Sequence, residues 1–585
     1  MKLHGALERI LEKYDLPLYG ALFLAALLLR LAALETGPLS GKEAVEAWSA
    51  LHLLRGESAA STSALFSSLT AGLLFITGPS HWTPRFFPAL AGAFIVLLPM
   101  FFRSPRNRLE PFLAAILITL SPSLWIASTL AGGTTLGFLA AAFCIFSLRS
   151  GERHPLAGGI ALGLAAASGP MGWSGLVIAA IVLLADWVRR VRVSSAAEGK
   201  PVSPFRTAFD RFLKPAGGSV GFIMGLSAGS TGLFFLPRGI GGLAAGFSAW
   251  LAAFFSGWPR VGEIILMLIA YEPAALVFGA AGIVLLWKGL LSEEDRFWGI
   301  FAAAAAVWVL IRPAAFPDEG LWMVLPLLIL GARALRMVLE SPLLEERPLA
   351  VGLQTGAMLV LAAFAIFNLV AYEASGSWVN LVLPLLLILG AFFAYLVYAG
   401  SWKHIFRQLL IGSAFALLGF FCLTQVGAGW NATHDRRASA NELWGGSETT
   451  AADILRLHRT LVRISEWRTG VKDELAVVIE GPEDSALGWE LLTYKAADYV
   501  STADMFSAPA VFIAPYAEQD GAVVTPRLTA AYRGQAFAVA ERRAWSGWPP
   551  DLIGWLLYRE GPVERGRMIL WVRLDVLIPE EVTSK

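Results

Sequence analysis

From the N-terminus to about Gln425 the chain is built of apolar stretches of about 18 residues or more separated by short polar breaks, the pattern of helices that cross a bilayer. Stretches at 17–34, 86–102, 111–128, 132–148, 155–168, 171–188, 215–236, 262–287, 297–312, 320–338, 349–372, 379–400 and 405–426 predict about thirteen transmembrane helices. Two more apolar segments, Ser63–Gly78 and Gly242–Trp258, are set aside by a charge argument given below. Beyond Gln425 the pattern changes. ADILRLHRTLVRISEWRT has helical periodicity, whereas LAVVIE, PAVFIAP, QAFAVAE and MILWVRLDV are short apolar or β-branched runs bounded by Gly, Pro and charge, the signature of strands. The roughly 150 residues there suffice for one small α/β layer domain. The expected fold is therefore mainly α: a polytopic membrane domain over 1–428, with a first outer loop at 35–85, followed by a C-terminal extracytoplasmic α/β domain over 429–585.

Charge fixes the expected orientation. With the N-terminus cytoplasmic, the clusters Arg103/Arg106/Arg108, Arg149/Arg153, Arg189 to Lys214, Lys288/Arg296, Arg333/Arg336/Arg347 and Lys403/Arg407 all fall inside, and only scattered basic residues such as Lys42, Arg55, Arg238, Arg260 and Arg312 fall outside. If Ser63–Gly78 crossed the membrane, parity would place the Arg103 cluster outside, so this segment is read as an interfacial helix. Gly242–Trp258, bounded by Pro237 and Pro259, is read in the same way, as interfacial or re-entrant. The first apolar run has no small-residue cleavage site and many spans follow it, so it is expected to be retained as a helix.

Composition then excludes several function classes. At 56% hydrophobic and 16% charged residues the chain belongs in lipid, and a net charge of +1 with no basic stripe argues against a nucleic-acid partner. Cys144 and Cys422, the only cysteines, lie in separate apolar runs and read as buried thiols. No GxGxxG, Walker loop or Cys/His metal spacing occurs in the C-terminal region. The sequon Asn431-Ala432-Thr433 is on the expected outer side and is of a kind that arises by chance.

A long first outer loop, an interfacial helix, RFFPALAGAFIVLLP and LSPSLW follow one another here, and YEPAALVFGAAGIV, PDEGLWMVLPLLILGA, WLLYREGP and ILWVRLDVL come later in the same order. In this the chain resembles the GT-C superfamily of membrane glycosyltransferases that use polyprenyl-phosphate sugars, and most nearly its prokaryotic flippase-activity-associated family, whose members act at the cell envelope. The resemblance covers most of the chain, through scaffold motifs. It implies acids that this sequence lacks. Where relatives have Asp-Glu-Ala in the first loop, often after His, this chain has Lys42-Glu43-Ala44 with Gly41 before it; where they have Arg-x-Asp after the Ser-Pro-Ser-Leu segment, it reads IASTLAGGTTLGF. The basic and aromatic cluster before Tyr-Glu-Pro is reduced to Trp258, Arg260 and Glu263.

Moving a sugar from a lipid phosphate to a hydroxyl needs a carboxylate, either to take the acceptor proton or to hold a divalent ion at the leaving phosphate. Lysine does neither in that geometry. Glu43, one methylene longer than Asp, is the candidate displaced base, with Glu46 one turn on along the same helix face. Glu43 also completes a capping box with Ser40, a structural role that does not exclude the first. Lys42, Arg260 and Arg312 are the candidate residues for a donor phosphate or lipid head group. Arg30, in the outer end of the first span, is read either as functional or as snorkelling to the interface. Asp318 and Glu319 beside Arg312 read as a solvated loop ion pair, and Glu272, inside a span, needs a partner. His81 reads as structural, and the tryptophans near span ends as interfacial anchors. Two functions stand. One is a degenerate, non-catalytic relative acting as a binding, assembly or structural subunit; the other is an active transferase moving sugar from polyprenyl phosphate to an outer-face acceptor. No cofactor is expected, and a divalent metal is expected to be absent. The expected partners are membrane lipid, a polyprenyl-phosphate sugar and another membrane protein.

Overall fold

The computed structural model describes residues 3–57, 61–103, 107–150, 155–194, 216–255, 261–292, 295–312, 316–398, 402–434, 439–445, 448–494, 496–501, 508–519, 522–523 and 530–577. Three helices open the chain: α1 (Leu3–Leu31), α2 (Gly41–Leu54) and α3 (Ala64–Thr77). Each segment expected to span contains described helix, with 215, 399 and 400 lying outside the described residues. Among the described residues six helices are long and apolar enough to cross a membrane alone, or up to eight if two bent pairs each count as one span. The expectation is of about thirteen transmembrane helices, and the described residues supply six to eight candidate spans by length and apolarity. Leu109–Leu120 and Pro122–Thr129 meet at 55°, and Val261–Ala270 and Pro273–Trp287 meet at 99°, so 262–287 is an elbow. Proline explains both breaks, because its ring removes an N–H and disfavours helical geometry in the residue before it. Glu272, before Pro273, sits at φ −124° and ψ 45°.

Pro348–Ser375 and Val379–Tyr398 turn their apolar side chains outward; Leu353 and Phe367 are each 73% exposed. A helix that shows such a surface to water would aggregate, so this face is fitted to lipid. Elsewhere glycine lets helices touch. Pro155–Ala167 crosses Ala216–Thr231 so closely that a Cβ on Gly163 would lie 2.4 Å from the Phe222 carbonyl oxygen, and one on Gly225 would lie 2.2 Å from that of Ile160. This is the small-xxx-small packing by which membrane helices gain dispersion contacts without a hydrophobic drive. The tryptophans depart from expectation in the same way. Trp125, Trp298 and Trp322, near span ends, are fully buried and pack the interior instead of anchoring an interface, while Trp287 and Trp378 are exposed.

The C-terminal region forms a sheet. Strands β1 (Glu448–Thr450), β2 (Val477–Glu480), β3 (Ala497–Val500), β4 (Val511–Pro515), β5 (Glu518–Gln519), β6 (Ala522–Val523), β7 (Tyr532–Arg543) and β8 (Val563–Arg573) include a six-stranded sheet of order β1-β7-β8-β4-β2-β3 and a separate β5-β6 pair. β2 runs parallel to β3 and β4, and the other pairs are antiparallel. Helix Asp453–Thr469 buries Ile454, Leu457 and Leu461 against this sheet and is stopped by Gly470 at φ 77°. The four strand runs and the helix read from the sequence all form; β1, β3 and the β5-β6 pair, too short or too polar to carry a pattern, were not anticipated.

Three of the scaffold motifs meet at the elbow. The Glu272 carboxylate accepts from the Ser121 hydroxyl at 2.5 Å and the Ser123 N–H at 2.9 Å, capping the helix that begins at Pro122. The Tyr271 hydroxyl donates to Glu442, and the Arg559 guanidinium lies 4.8 Å over the Tyr271 ring and 4.2 Å over that of Trp555 while donating to the Ala270 carbonyl. Glu272 thus has its partner, and the C-terminal WLLYREGP motif is pinned to the membrane helices through cation–π and carbonyl contacts.

Candidate functional site

α2 begins with the capping box expected from Ser40. The Ser40 hydroxyl accepts from Glu43 N–H, and Ser40 N–H donates to Glu43 Oε2 at 2.9 Å. The same carboxylate is gripped by Arg85, whose Nε donates to Oε1 at 2.8 Å and whose Nη2 donates to Oε2 at 2.9 Å. Ala131 N–H adds a bond to Oε1 at 2.9 Å. The rest of the Arg85 fork donates to the carbonyls of Leu34, Gly37 and Pro38. Both side chains are buried, Arg85 completely. Arg85 and Glu43 therefore staple the chain leaving α1, the start of α2 and the Ala131 turn into one unit through a bidentate buried pair.

Below this staple lies a cavity of about 480 Å³. Lys42, Glu43 and Glu46 line it from α2, the Ala131–Thr134 turn lines it from the side, and Asp318 and Glu319 line it from the start of the helix at Leu321. The turn approaches α3 only because it is glycine: a Cβ on Gly133 would lie 2.3 Å from the Ser63 hydroxyl that caps α3. The Thr134 side chain and the charge of Lys42 both act on the Asp318 carboxyl. Glu46 accepts from Thr62 at 2.6 Å and Ser61 at 2.9 Å. Burial pushes its carboxyl above the usual range, against the pull of those two hydrogen bonds.

Glu319 accepts from Ser174 at 2.5 Å and from the Trp308 indole at 3.2 Å, and is ion-paired to Arg312. Arg312 is wholly buried, donates to Ser174 and to the Trp250 carbonyl, and lies 5.0 Å from the Phe254 ring and 5.4 Å from the Trp250 ring. The solvated pair expected for Arg312 and Glu319 is thus a buried, aromatic-walled one. The reason is that Trp250, Phe254 and Trp308 close over the guanidinium, which tolerates this because it is weakly hydrated and stacks on rings. Arg30 also differs from the snorkelling reading. It is fully buried and donates from Nε to Ser128 at 2.7 Å and from Nη1 to the Ala26 carbonyl at 3.0 Å. Arg260 and Trp258 lie outside the described residues. The structure therefore brings Lys42, Glu43 and Glu46 together at one cavity with Asp318 and Glu319, and packs Arg312 behind its wall. Among the described residues no group of three or more His, Cys, Asp or Glu side chains is arranged to hold a metal ion.

A second set of contacts, unread in the sequence, docks the first loop on the C-terminal domain. The Trp48 indole donates to the Ser485 carbonyl at 3.1 Å and meets the Trp489 ring edge-on at 6.0 Å. His52 bridges Glu57 and Asp484, and Glu490 takes hydrogen bonds from His81 at 2.9 Å and His458 at 2.8 Å. Burial disfavours the charge on Glu490, but the two histidines overcome this and bring its carboxyl from the usual 4.5 down to about 2. Burial likewise opposes the charge on His52, yet Asp484 and Glu57 hold its value above the usual 6.5. The signs define a window. Glu490, depressed, contributes stability above about pH 4.5 that is lost as the pH falls toward 2; His52, raised, contributes stability below about pH 6.5 that is lost as the pH rises through its folded value. Hydrogen exchange over residues 41–57 is expected to be slowest, after correction for intrinsic rate, between about pH 4.5 and 6.5. A corrected protection profile that is flat with pH, or highest above pH 8, contradicts this assignment.

Known proteins add the fold. No protein-family model matches the chain, and no curated protein does. Among solved structures it is similar to ArnT from Cupriavidus metallidurans in the apo state, at 17% identity and TM-score 0.51 over 83% of this chain and 86% of that one. It is similar with the same coverage and identity, at TM-score 0.42, to ArnT from Cupriavidus metallidurans bound to undecaprenyl phosphate. The Archaeoglobus fulgidus oligosaccharyltransferase in the apo form matches at 12% identity and TM-score 0.41, over 82% of this chain and 64% of that one. The first likeness shows a GT-C-like fold, mainly helical with a C-terminal sheet-containing domain. At 17% identity the first likeness speaks for the fold alone, and chemistry has to be argued from the site.

Proposed function

We propose that this protein is a non-catalytic GT-C-like membrane subunit that binds a polyprenyl-phosphate lipid at the outer face through Lys42 and serves binding or assembly, with residues 1–428 in the membrane and 429–585 as the outer domain. One observation carries the proposal. Each carboxylate lining the cavity is already engaged by its own chain: Glu43 by Arg85, Glu46 by Ser61 and Thr62, Asp318 by Thr134 and Lys42, and Glu319 by Arg312, Ser174 and Trp308. A general base needs a lone pair to spare for the acceptor proton, and Glu43 and Glu319 must each break a buried arginine pair to offer one. Lys42, on the exposed start of α2, is the cation that faces the cavity and is suited to a phosphate as a point charge.

The active-transferase reading is favoured by one feature. The Glu46 carboxyl, raised by burial and held by two hydroxyls instead of an arginine, is the kind of group that can serve as a general base. Purified protein given labelled sugar on polyprenyl phosphate, with and without chelator, separates the two. The subunit reading expects no transfer in either condition and co-purification of a stable membrane partner. Robust turnover that falls at least 100-fold in Glu46→Gln overturns it.

A further inference from the structure

The half of α1 remote from the first loop borders a cavity of about 470 Å³, set between α1 and the connection that leads to the helix at Leu109. A bend in α1 opens it. Tyr14 leaves the helical region at φ −123° and ψ 21°, and Pro17, which has no N–H, cannot close the helical bond to the Lys13 carbonyl. Asp15, inside the bend, is buried, and two arginines converge on it. Arg103 Nη1 donates to Asp15 Oδ2 at 3.0 Å, and Arg108 Nη1 lies 3.6 Å from the same oxygen while donating to the Glu12 carbonyl at 3.3 Å. From Asp15 to Leu31 the helix rises about 24 Å at about 1.5 Å per residue. This cavity and the one at Lys42 therefore lie near opposite faces of a bilayer whose core is about 30 Å thick.

The lining selects the ligand. Two guanidiniums against the one Asp15 carboxylate leave positive charge in excess, and their hydrogen bonds among the described residues use only Nη1 of each. Nε and Nη2 of both forks thus remain to grip a phosphate. The other charges of the lining, Glu12 and Lys13, are both exposed and opposite in sign, and offset one another. Beside the cations α1 turns apolar. Leu16 in the lining is 65% exposed, and Leu24 and Leu28 continue its face at 53% and 57%, past an open notch at Gly20, whose Cβ position has nothing within 4 Å. A free anion leaves that stripe bare, and a zwitterionic lipid sets its own cation beside two arginines. An anionic phosphate that carries acyl chains answers both surfaces, and basic pockets between membrane helices hold such head groups. Tyr14, exposed with the Lys13 ammonium 5.0 Å over its ring, is the amphipathic ring expected at head-group level.

We infer that the bend of α1 binds an anionic glycerophospholipid, its phosphate on Arg103 and Arg108 and an acyl chain along Leu16, Leu24 and Leu28. The site is separate from the lipid reading at Lys42 and stands if that reading falls. The test is equilibrium binding to the delipidated full chain in detergent, with phosphatidylglycerol and phosphatidylcholine of the same acyl chains as probes. Phosphatidylglycerol is expected to bind at least about tenfold more tightly, and excess inorganic phosphate or polyprenyl phosphate to leave it in place. The triple variant Asp15→Asn/Arg103→Gln/Arg108→Gln, which leaves no charge buried alone, is expected to erase the preference. A lipid-free melting point within about 1 °C of the unmodified protein reports that this variant is folded. Leu16→Glu sets a carboxylate in the cavity from an exposed position, is expected to weaken phosphatidylglycerol at least about tenfold, and decides the matter if the triple variant does not fold. Equal affinity for the two lipids, a preference kept by the folded triple variant, or unchanged affinity in Leu16→Glu overturns the site. Displacement by inorganic phosphate shows a site for soluble anions, displacement by polyprenyl phosphate shows one for that lipid, and either overturns the assignment to a glycerophospholipid.

Discussion

Replacing Arg85 with alanine is expected to cost about 3–5 kcal/mol, because it leaves the Glu43 carboxylate buried without its counter-charge. The loss extends beyond the ion pair. Arg85 also holds the carbonyls of Leu34, Gly37 and Pro38, so the segment joining α1 to α2 loses its donors at the same time. An apparent melting point lower by about 2–4 °C is expected, together with new protease cleavage between 32 and 57. Arg85→Lys should rescue little, since an ammonium cannot bridge both Glu43 oxygens and reach the carbonyls. Melting within about 1 °C of the unmodified protein, with an unchanged cleavage pattern, would show that the staple does not hold the first loop.

Placing leucine at Gly163 should be at least as damaging. A Cβ there would meet Leu226 N and the Phe222 carbonyl oxygen, each at 2.4 Å, and these are backbone atoms that no rotamer change can move. Overpacking costs about 1–3 kcal/mol when side chains can shift, and here two helix axes must part. Monodisperse protein recovered in detergent is expected to fall at least fivefold. Gly352→Leu is the control, because nothing lies within 4 Å of its Cβ position and its helix faces lipid. Equal recovery of the two variants would falsify the close crossing.

Much of the fold was legible in the sequence because it depends on local periodicity. Segment length and apolarity located every helix expected to span, and β-branched runs located β2, β4, β7 and β8. The pairings were not legible. Arg85 and Glu43 are 42 positions apart, and nothing in either neighbourhood names the other, although a lone arginine at the head of an apolar run was a signal that it must be paired. Hydropathy also masked the elbow. Tyr271-Glu272-Pro273 carries the proline that breaks a helix, yet the apolar residues on both sides read as one span. Nor does an apolar run say which of its faces looks inward, which is why Trp322 was read as an anchor and proved to be core. At the site, Lys42 and Glu43 were found by their departure from a motif; Asp318 opposite Lys42 and the docking of His52 and His81 required the folded chain.

The contacts at the elbow also set an order of events during synthesis. Glu272 meets Ser121 and Ser123, which the ribosome has already made, so that cap can close as soon as its helix is inserted. Arg559, which covers Tyr271 and the Ala270 carbonyl, emerges nearly 290 residues later. At about 5–20 residues per second, that is a delay of roughly a quarter of a minute to a minute. For this interval the membrane helices must hold an uncapped carbonyl and an uncovered tyrosine, and a chain truncated before Trp555 would hold them permanently. Docking of the segment that carries Arg559 therefore comes after insertion of the elbow, and the elbow keeps its polar groups uncovered until a part of the chain made much later reaches back to it.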